Sequence, residues 1–406
     1  DPKVADGLGK IFFLHNTYDE IRDLDYACRV NGLKAPEGAS FYSPLRIGLE
    51  KADAVIGNAF YVERLTGGLV GDSPFVPALQ AQRAAGHVHD MHHGLSDQYS
   101  PRDNAGLREN GYTDLPETFG ADAACDLPAL AAFKDQNRVA VQRELGLNED
   151  RDAVIFSWIA RPEPYQKGFY MLMDHLGDFL EKNPKAQAVV AGINLEKAPA
   201  DVRAWVEGLQ SDPAMAGRVS FPGFVDNKKV VRVASGSNFL ILPSLYEPYG
   251  LSQLEAMRVG ATPIVHPVDG LRATVSDPAK GLAVPPVLQP YGRTGVFMQP
   301  FEVPPYWNAM DARVKGDGPD NDQRRVLDEA SSKLRAALDE AMVLDTQRPE
   351  EATQTRYNGM RFVEEQHNWQ KISERYAPPI DAALQAARAR ALAAGSTVGT
   401  KVSVTA

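Results

Sequence analysis

Three things are scarce in this sequence. Only two of its 406 residues are cysteine, Cys28 and Cys125, and neither sits in a pairing motif. That excludes a disulfide framework and makes a reducing, cytoplasmic setting the expectation. No apolar run approaches the roughly 20 residues that cross a bilayer, and no signal peptide is visible, so no integral membrane segment is expected. A positive excess is also missing. Lys and Arg number 43 against 53 Asp and Glu, a net charge of −10, which argues against nucleic acid or an anionic membrane as the main partner. What remains is 44% hydrophobic and 24% charged, ordinary globular material for two or three domains. The first residue is Asp1 rather than Met, so the natural start is expected upstream.

Lys10–Asn16 (KIFFLHN) and Ala54–Asn58 (AVIGN) read as buried strands, and residues 100–150 as a long polar loop leading into a helix over 134–145. From there the pattern is regular. Apolar strand-length runs at 153–159, 186–191, 218–221, 238–243 and 261–266 alternate with helical stretches at 169–183, 202–210, 227–235 and after EPYG. Such alternation is the signature of parallel βαβ units, and continuous apolar runs mark strands buried on both faces. The expectation is an α/β, doubly wound domain over 151–280. The Pro-, Gly- and Asp-rich stretch 285–325 reads as irregular, 327–344 and 372–394 as helices, and GSTVGTKVSVTA as a tail.

In sheets of this kind ligands sit at the carboxyl ends of the strands, and three segments with chemistry follow such strands. ARPEPYQKG (160–168) offers Arg161 and Lys167 just before a helix, a rigid fork and a point charge for phosphate oxygens. EPYG (247–250) supplies Gly250, where backbone N–H groups can approach a ligand, and a helix N-terminus that favours an anion. DGL (269–271) is a small-residue turn able to present further amides. Together they predict a diphosphate site. Glu247 beside it would repel phosphate and suits sugar hydroxyls, while Glu255, two helical turns on, can reach a ribose diol. Taken singly, an Arg–Lys pair or a helical Glu is an ordinary solvated residue; placement at consecutive strand ends carries the reading. HVHDMHHG (87–94) holds four histidines and an aspartate. That spacing is compatible with zinc, but no second ligand cluster lies near it in sequence, so a structural or ligand-proximal role is expected, and no metal. DLD at 23–25 reads as surface, and His266 as a strand-end residue.

LPSLYEPYGLSQLEAMRVGATPIVHPVDGLRATVSD (242–277) resembles the nucleotide-sugar site of retaining GT-B glycosyltransferases, closest to the glycogen and starch synthases. ARPEPYQKG resembles their phosphate loop, HN at 15–16 their first-domain histidine motif, HHGLSDQYSP (92–101) their interdomain segment, and NWQKISERY (368–376) their final crossing helix. The resemblance implies two Rossmann-like domains facing across a cleft. They would be a partial first domain over 1–130, a nucleotide-sugar domain over 131–370, a crossing helix over 371–394 and a tail. It implies transfer of glucose, with retention, from a nucleoside diphosphate glucose, ADP-glucose favoured, to the non-reducing end of an α-1,4-glucan. Carried over by position, Arg161 and Lys167 hold the diphosphate and Glu247 the sugar hydroxyls. The amides of Tyr249, Gly250, Leu251 and Ser252 meet the distal phosphate, Gly270 lies in the family's GGL turn, and Glu255 serves the ribose. Phe224 and Val225, in FPGFVDN, pack on the base, and His15 and Asn16 stand near the transferred sugar. No metal or other cofactor is implied; the partners are a nucleotide sugar and a glucan or other sugar acceptor.

The sequence departs from the family at four points. The loop from Arg161 to Lys167 is one residue longer. Asp269 stands where GGL has its first glycine. Glu255 replaces a tyrosine of bacterial glycogen synthases but fits the wider EX7E pattern. HN comes already at residue 15, with no lysine-containing Gly–Gly loop ahead of it, so a fragment is expected. Two rival readings stay open: a GT-B enzyme with a polyol, sugar phosphate or lipid acceptor, and a non-catalytic glucan- or nucleotide-binding module or subunit.

Overall fold

Contacts in the computed structural model divide the chain into two compact units, Asp1–His92 with Gln370–Ala406, and His93–Trp369. The structure describes residues 8–15, 43–108, 110–120, 123–316 and 318–393.

In the first unit, β1 (Ile11–Phe13), β2 (Ala54–Ile56) and β3 (Val88–His89) form a parallel sheet in that order. The apolar run at 54–58 ends as a strand at Ile56 because its polar end does other work. Asn58 leaves the strand to cap helix α2 (Ala59–Arg64), its side chain accepting from the Tyr61 N–H at 3.2 Å. It follows α1 (Pro44–Lys51), capped by Ser43, and precedes α3 (Val76–Ala84). The final helix, Trp369–Ala393, joins this unit from Gln370 onward. Its Arg390 reaches Asp53, Nη2 to Oδ2 2.8 Å.

The second unit is built on six strands: β4 (Val154–Ile159), β5 (Ala186–Ala191), β6 (Val219–Gly223), β7 (Phe239–Leu242), β8 (Thr262–Val265) and β9 (Val296–Phe297). They are all parallel, in the order β6-β5-β4-β7-β8-β9. The expected doubly wound α/β architecture is therefore present. Every residue of β5, β7 and β8 is buried, which is why these strands read as unbroken apolar runs. Phe156 of β4 stacks on Phe239 of β7 at 5.2 Å and meets Phe179 edge-on at 5.0 Å. All three rings are fully buried, each contributing about 1.5–3 kcal/mol.

The helices of this unit are α4 (Ala123–Leu145), α5 (Phe169–Lys182), α6 (Ala200–Ser211), α7 (Asn227–Gly236), α8 (Ser252–Arg258), α9 (Asp269–Thr274), α10 (Val303–Lys315), α11 (Asn321–Gln347) and α12 (Pro349–Gln366). Proline misled the sequence reading here. The stretch taken as irregular contains α10 and β9, and α12 was not foreseen. Both helices carry proline in the first turn, where the missing N–H would have had no partner anyway. Helix α4 starts eleven residues before the expected 134 and runs through Pro128. Among the described residues no helix is long and apolar enough to cross a membrane.

Candidate functional site

The order of the sheet reverses between β4 and β7. Loops leaving the carboxyl ends of such a strand pair diverge and open a crevice for ligands. Two of the segments singled out in the sequence are these loops, 160–168 after β4 and 243–251 after β7. They are tied together: the Leu245 N–H donates to the Gln166 carbonyl at 2.7 Å. Gly168 has φ 68°, and a Cβ there would lie 2.4 Å from the Pro243 carbonyl oxygen, so the approach requires glycine. The β4 loop is also braced internally. Glu163 accepts from the N–H groups of Tyr165, at 3.1 Å, and Gln166, at 2.5 Å. The Tyr165 carbonyl takes the Trp307 indole N–H at 2.7 Å.

This bracing delivers Lys167 to Glu247. Nζ stands 2.5 Å from Oε2, and both side chains are largely buried, 20% and 13% exposed. Ser244 Oγ lies 3.4 Å from the same oxygen. Arg161 is exposed and its side chain forms no hydrogen bond or ion pair among the described residues. One cation is thus held on a carboxylate and another is open at the same mouth.

The turn 247–251 is fixed from behind. Gly250 has φ 78°, and an added Cβ would lie 2.9 Å from Glu247 Cγ. Buried Gln253 donates from Nε2 to the carbonyls of Tyr249 and Gly250 and contacts Thr274 Oγ1, at 3.1, 2.9 and 2.9 Å. The Tyr249 ring is buried against His93 at 4.8 Å. The N–H groups of Gly250, Leu251 and Ser252, at the mouth of α8, find no acceptor among the described residues.

DGL behaves differently from the expectation. Its Gly270 N–H is already committed, donating to the Glu247 carbonyl at 2.9 Å, so that amide is not offered to a ligand. The segment is the first turn of α9 and clamps Glu247 from behind. Asp269 Oδ2 accepts from the Glu247 N–H at 2.9 Å. Asp269 has φ 45°, a left-handed backbone that glycine adopts without strain; aspartate at this position adds the bond to Glu247. Gly270 packs on the Tyr249 backbone, and an added Cβ would lie 2.0 Å from its carbonyl oxygen. Gly270→Ala is therefore expected to destabilise the protein by about 1–3 kcal/mol, the range for overpacking, read as a lowered Tm. An unchanged Tm would mean that α9 can move away from the turn.

Glu255 borders a cavity of about 160 Å³ together with Ile159, Asn227, Val230, Leu240 and Ser252. Burial pushes its pKa up, opposed in part by a hydrogen bond from Tyr99; the Tyr99 hydroxyl is itself pushed up to about 12, by burial and by the Glu255 charge. A carboxyl with a raised folded-state pKa contributes stability that is complete below its unfolded pKa and lost as pH rises through the folded value. Glu255→Gln is thus expected to raise Tm at pH 7, with the gain shrinking toward pH 4. A lower Tm at pH 7 would contradict this. Neither Phe224, 86% exposed, nor buried Val225 lines the cavity. His15 belongs to the first unit, exposed and stacked on Phe13 at 5.8 Å. Asn16 and the DLD stretch lie outside the described residues.

Sequence reasoning missed Ser244, Gln253 and Tyr99 as supports. For Ser244 and Gln253 the one available signal was a polar residue within an otherwise apolar stretch; Tyr99 sits in the polar stretch SDQYS and had none. In HVHDMHHG, His87 Nδ1 pairs with Gln82 Oε1 at 2.9 Å, and Asp90 accepts from the N–H groups of Ala59 and Met91, each at 3.1 Å. Among the described residues no group of three or more His, Cys, Asp or Glu is placed to hold a metal ion. His266 is fully buried, stacked on Phe301 at 4.4 Å.

This geometry coincides with a family match. Residues 140–290 match the model of the family described as Glycosyl transferases group 1. Granule-bound starch synthase 2 of Pisum sativum is 29% identical over 249 residues, 59% of this chain and 29% of that protein. Glycogen synthase of Anaeromyxobacter sp. (strain Fw109-5) is 34% identical over 156 residues, 38% and 30% of the two chains. The chain thus spans about three tenths of the length of these relatives. Among solved structures, the catalytic domain of starch synthase IV from Arabidopsis thaliana, bound to ADP and acarbose, superposes with a TM-score of 0.50. It is 19% identical, over 81% of this chain and 59% of that one, and shares the GT-B fold. Residues 140–290 are a glycosyl transferases group 1 domain, homologous to starch and glycogen synthases.

Proposed function

We propose that the protein is a retaining glucosyltransferase that moves glucose from a nucleoside diphosphate glucose, ADP-glucose foremost, to the non-reducing end of an α-1,4-glucan. The observation that carries the reading is the Lys167–Glu247 pair at the switch point, with Arg161 open beside it. The diphosphate takes Arg161, Lys167 and the amides of Gly250–Ser252; the cavity beside Glu255 takes the ribose. As the bond from the anomeric carbon to the diphosphate breaks, the two cations stabilise charge on the leaving oxygen. The acceptor hydroxyl bonds to the anomeric carbon on the same face and its proton passes to the departing phosphate. Glu247, once Lys167 turns to the phosphate, accepts from sugar hydroxyls. The reading assigns no step to a metal or other cofactor, since the cationic side chains supply the positive charge.

Calorimetry with ADP, UDP and GDP, followed by the matching glucose donor with and without glycogen, tests this. Binding of ADP with glycogen-dependent release from ADP-glucose is the expected result. Binding without release on glycogen would overturn the acceptor assignment, and no nucleotide binding would overturn the reading as a whole.

A further inference from the structure

A second cavity, of about 520 Å³, opens at the opposite end of the same sheet. It lies beside Val154, where β4 begins, and Asn238, just before β7. With six residues in β4, this is about 20 Å along the strand from the crevice described above, at roughly 3.3 Å per residue. It is within the 300–1,000 Å³ range typical of small-molecule pockets.

The lining carries five cations and three carboxylates, in a chain whose net charge is −10. Each of the carboxylates is already taken. Asp135 pairs with Arg138 at 2.9 Å, Asp345 with Arg356, and Asp152 with Lys185 at 3.6 Å. That leaves Lys134 and Arg151 without a carboxylate partner. Lys134 is buried, and its ammonium meets only the carbonyls of Ala234 and Ser237, at 3.2 and 2.6 Å. Burial pushes its pKa well down, Arg356 and Arg138 add to the effect and Asp345 opposes it only in part; an anion entering the cavity would offset that penalty. Arg151 is exposed with no side-chain partner among the described residues. Arg138 and Arg356 are more than nine-tenths buried, yet the Nε–H of each is unpaired. Buried unsatisfied guanidinium donors are costly; among the described residues Arg218 and Arg258 carry them too, but Arg138 and Arg356 do so on the wall of this cavity.

We propose that this cavity is a binding site for a small phosphate ester, separate from the nucleotide crevice. A phosphate dianion has three terminal oxygens for donors from Lys134, Arg138 and Arg356, with Arg151 at the entrance. The apolar side of the cavity, Leu130 and Pro349, suits the carbon skeleton. This site does not depend on the reading of the crevice.

The test is calorimetry on the full chain with glycerol 3-phosphate and with inorganic phosphate, alone and in saturating ADP, on wild type, Arg151→Glu and Lys134→Met. Thermal melting serves as the fold control. Glycerol 3-phosphate is expected to bind equally well with and without ADP, and to lose at least tenfold in affinity in Arg151→Glu, an exposed position that leaves Tm unchanged. Should Lys134→Met fold, it is expected to lose binding as well. The proposal is overturned by any of three results: no binding of glycerol 3-phosphate, displacement by ADP, or an affinity that Arg151→Glu leaves alone. Inorganic phosphate binding as tightly as the ester would mean an adventitious ion only, and would also overturn it.

Discussion

Replacing Glu247 by alanine is expected to lower transfer by about 10²–10³-fold, the scale of losing one preorganised polar group in a reacting site, while the fold and nucleoside diphosphate binding persist. The fold persists because the turn does not depend on the carboxylate. The Glu247 backbone is held by Asp269 on its N–H and by Gly270 on its carbonyl, and neither bond involves the side chain. The side chain meets Lys167 and Ser244 at the crevice. Without it, Lys167 loses a partner but remains 20% exposed, so its charge stays in reach of water. Diphosphate affinity should then be unchanged or tighter, because phosphate no longer competes with a carboxylate for the ammonium. Turnover and calorimetry on one preparation check both halves. Turnover like that of wild type would remove Glu247 from the site, and a weaker diphosphate would mean that Glu247 serves only to preorganise Lys167.

The sequence made the sheet legible where burial on both faces leaves no polar position, as in β5 and β8, and the placement of Arg161, Lys167, Glu247 and Gly250 follows from that. Elements that open with proline were lost, because proline in a first turn and proline in a loop look the same until the fourth residue shows its partner. The supports of the site were lost for a different reason. Gln253 joins the turn at Tyr249 and Gly250 to Thr274, 21 positions away, and Asp269 acts through the backbone of Glu247, 22 positions away. No local pattern encodes such distances. The departure at Asp269 from the expected glycine was visible, but only the left-handed φ and the bond to Glu247 give it a physical meaning.

Lys167→Ala is expected to weaken nucleoside diphosphate binding by about 1.5–3 kcal/mol, the scale of a hydrogen bond between charged groups, or roughly 10–150-fold. Part of that loss comes from what is left behind. Glu247 is only 13% exposed, and without the ammonium its charge faces the incoming phosphate. The double variant Lys167→Ala, Glu247→Ala should therefore bind the diphosphate more tightly than Lys167→Ala alone. Residues in contact show coupling of about 0.5–3 kcal/mol, so a recovery of that size is the expected reading of the cycle. Additive effects would mean that the 2.5 Å pair has no bearing on the ligand, and that the two side chains serve separate parts of it. A recovery would identify the pair as a single element: an ammonium parked on the carboxylate in the free protein and drawn off it by phosphate, which leaves Glu247 open to the sugar only once the diphosphate is in place.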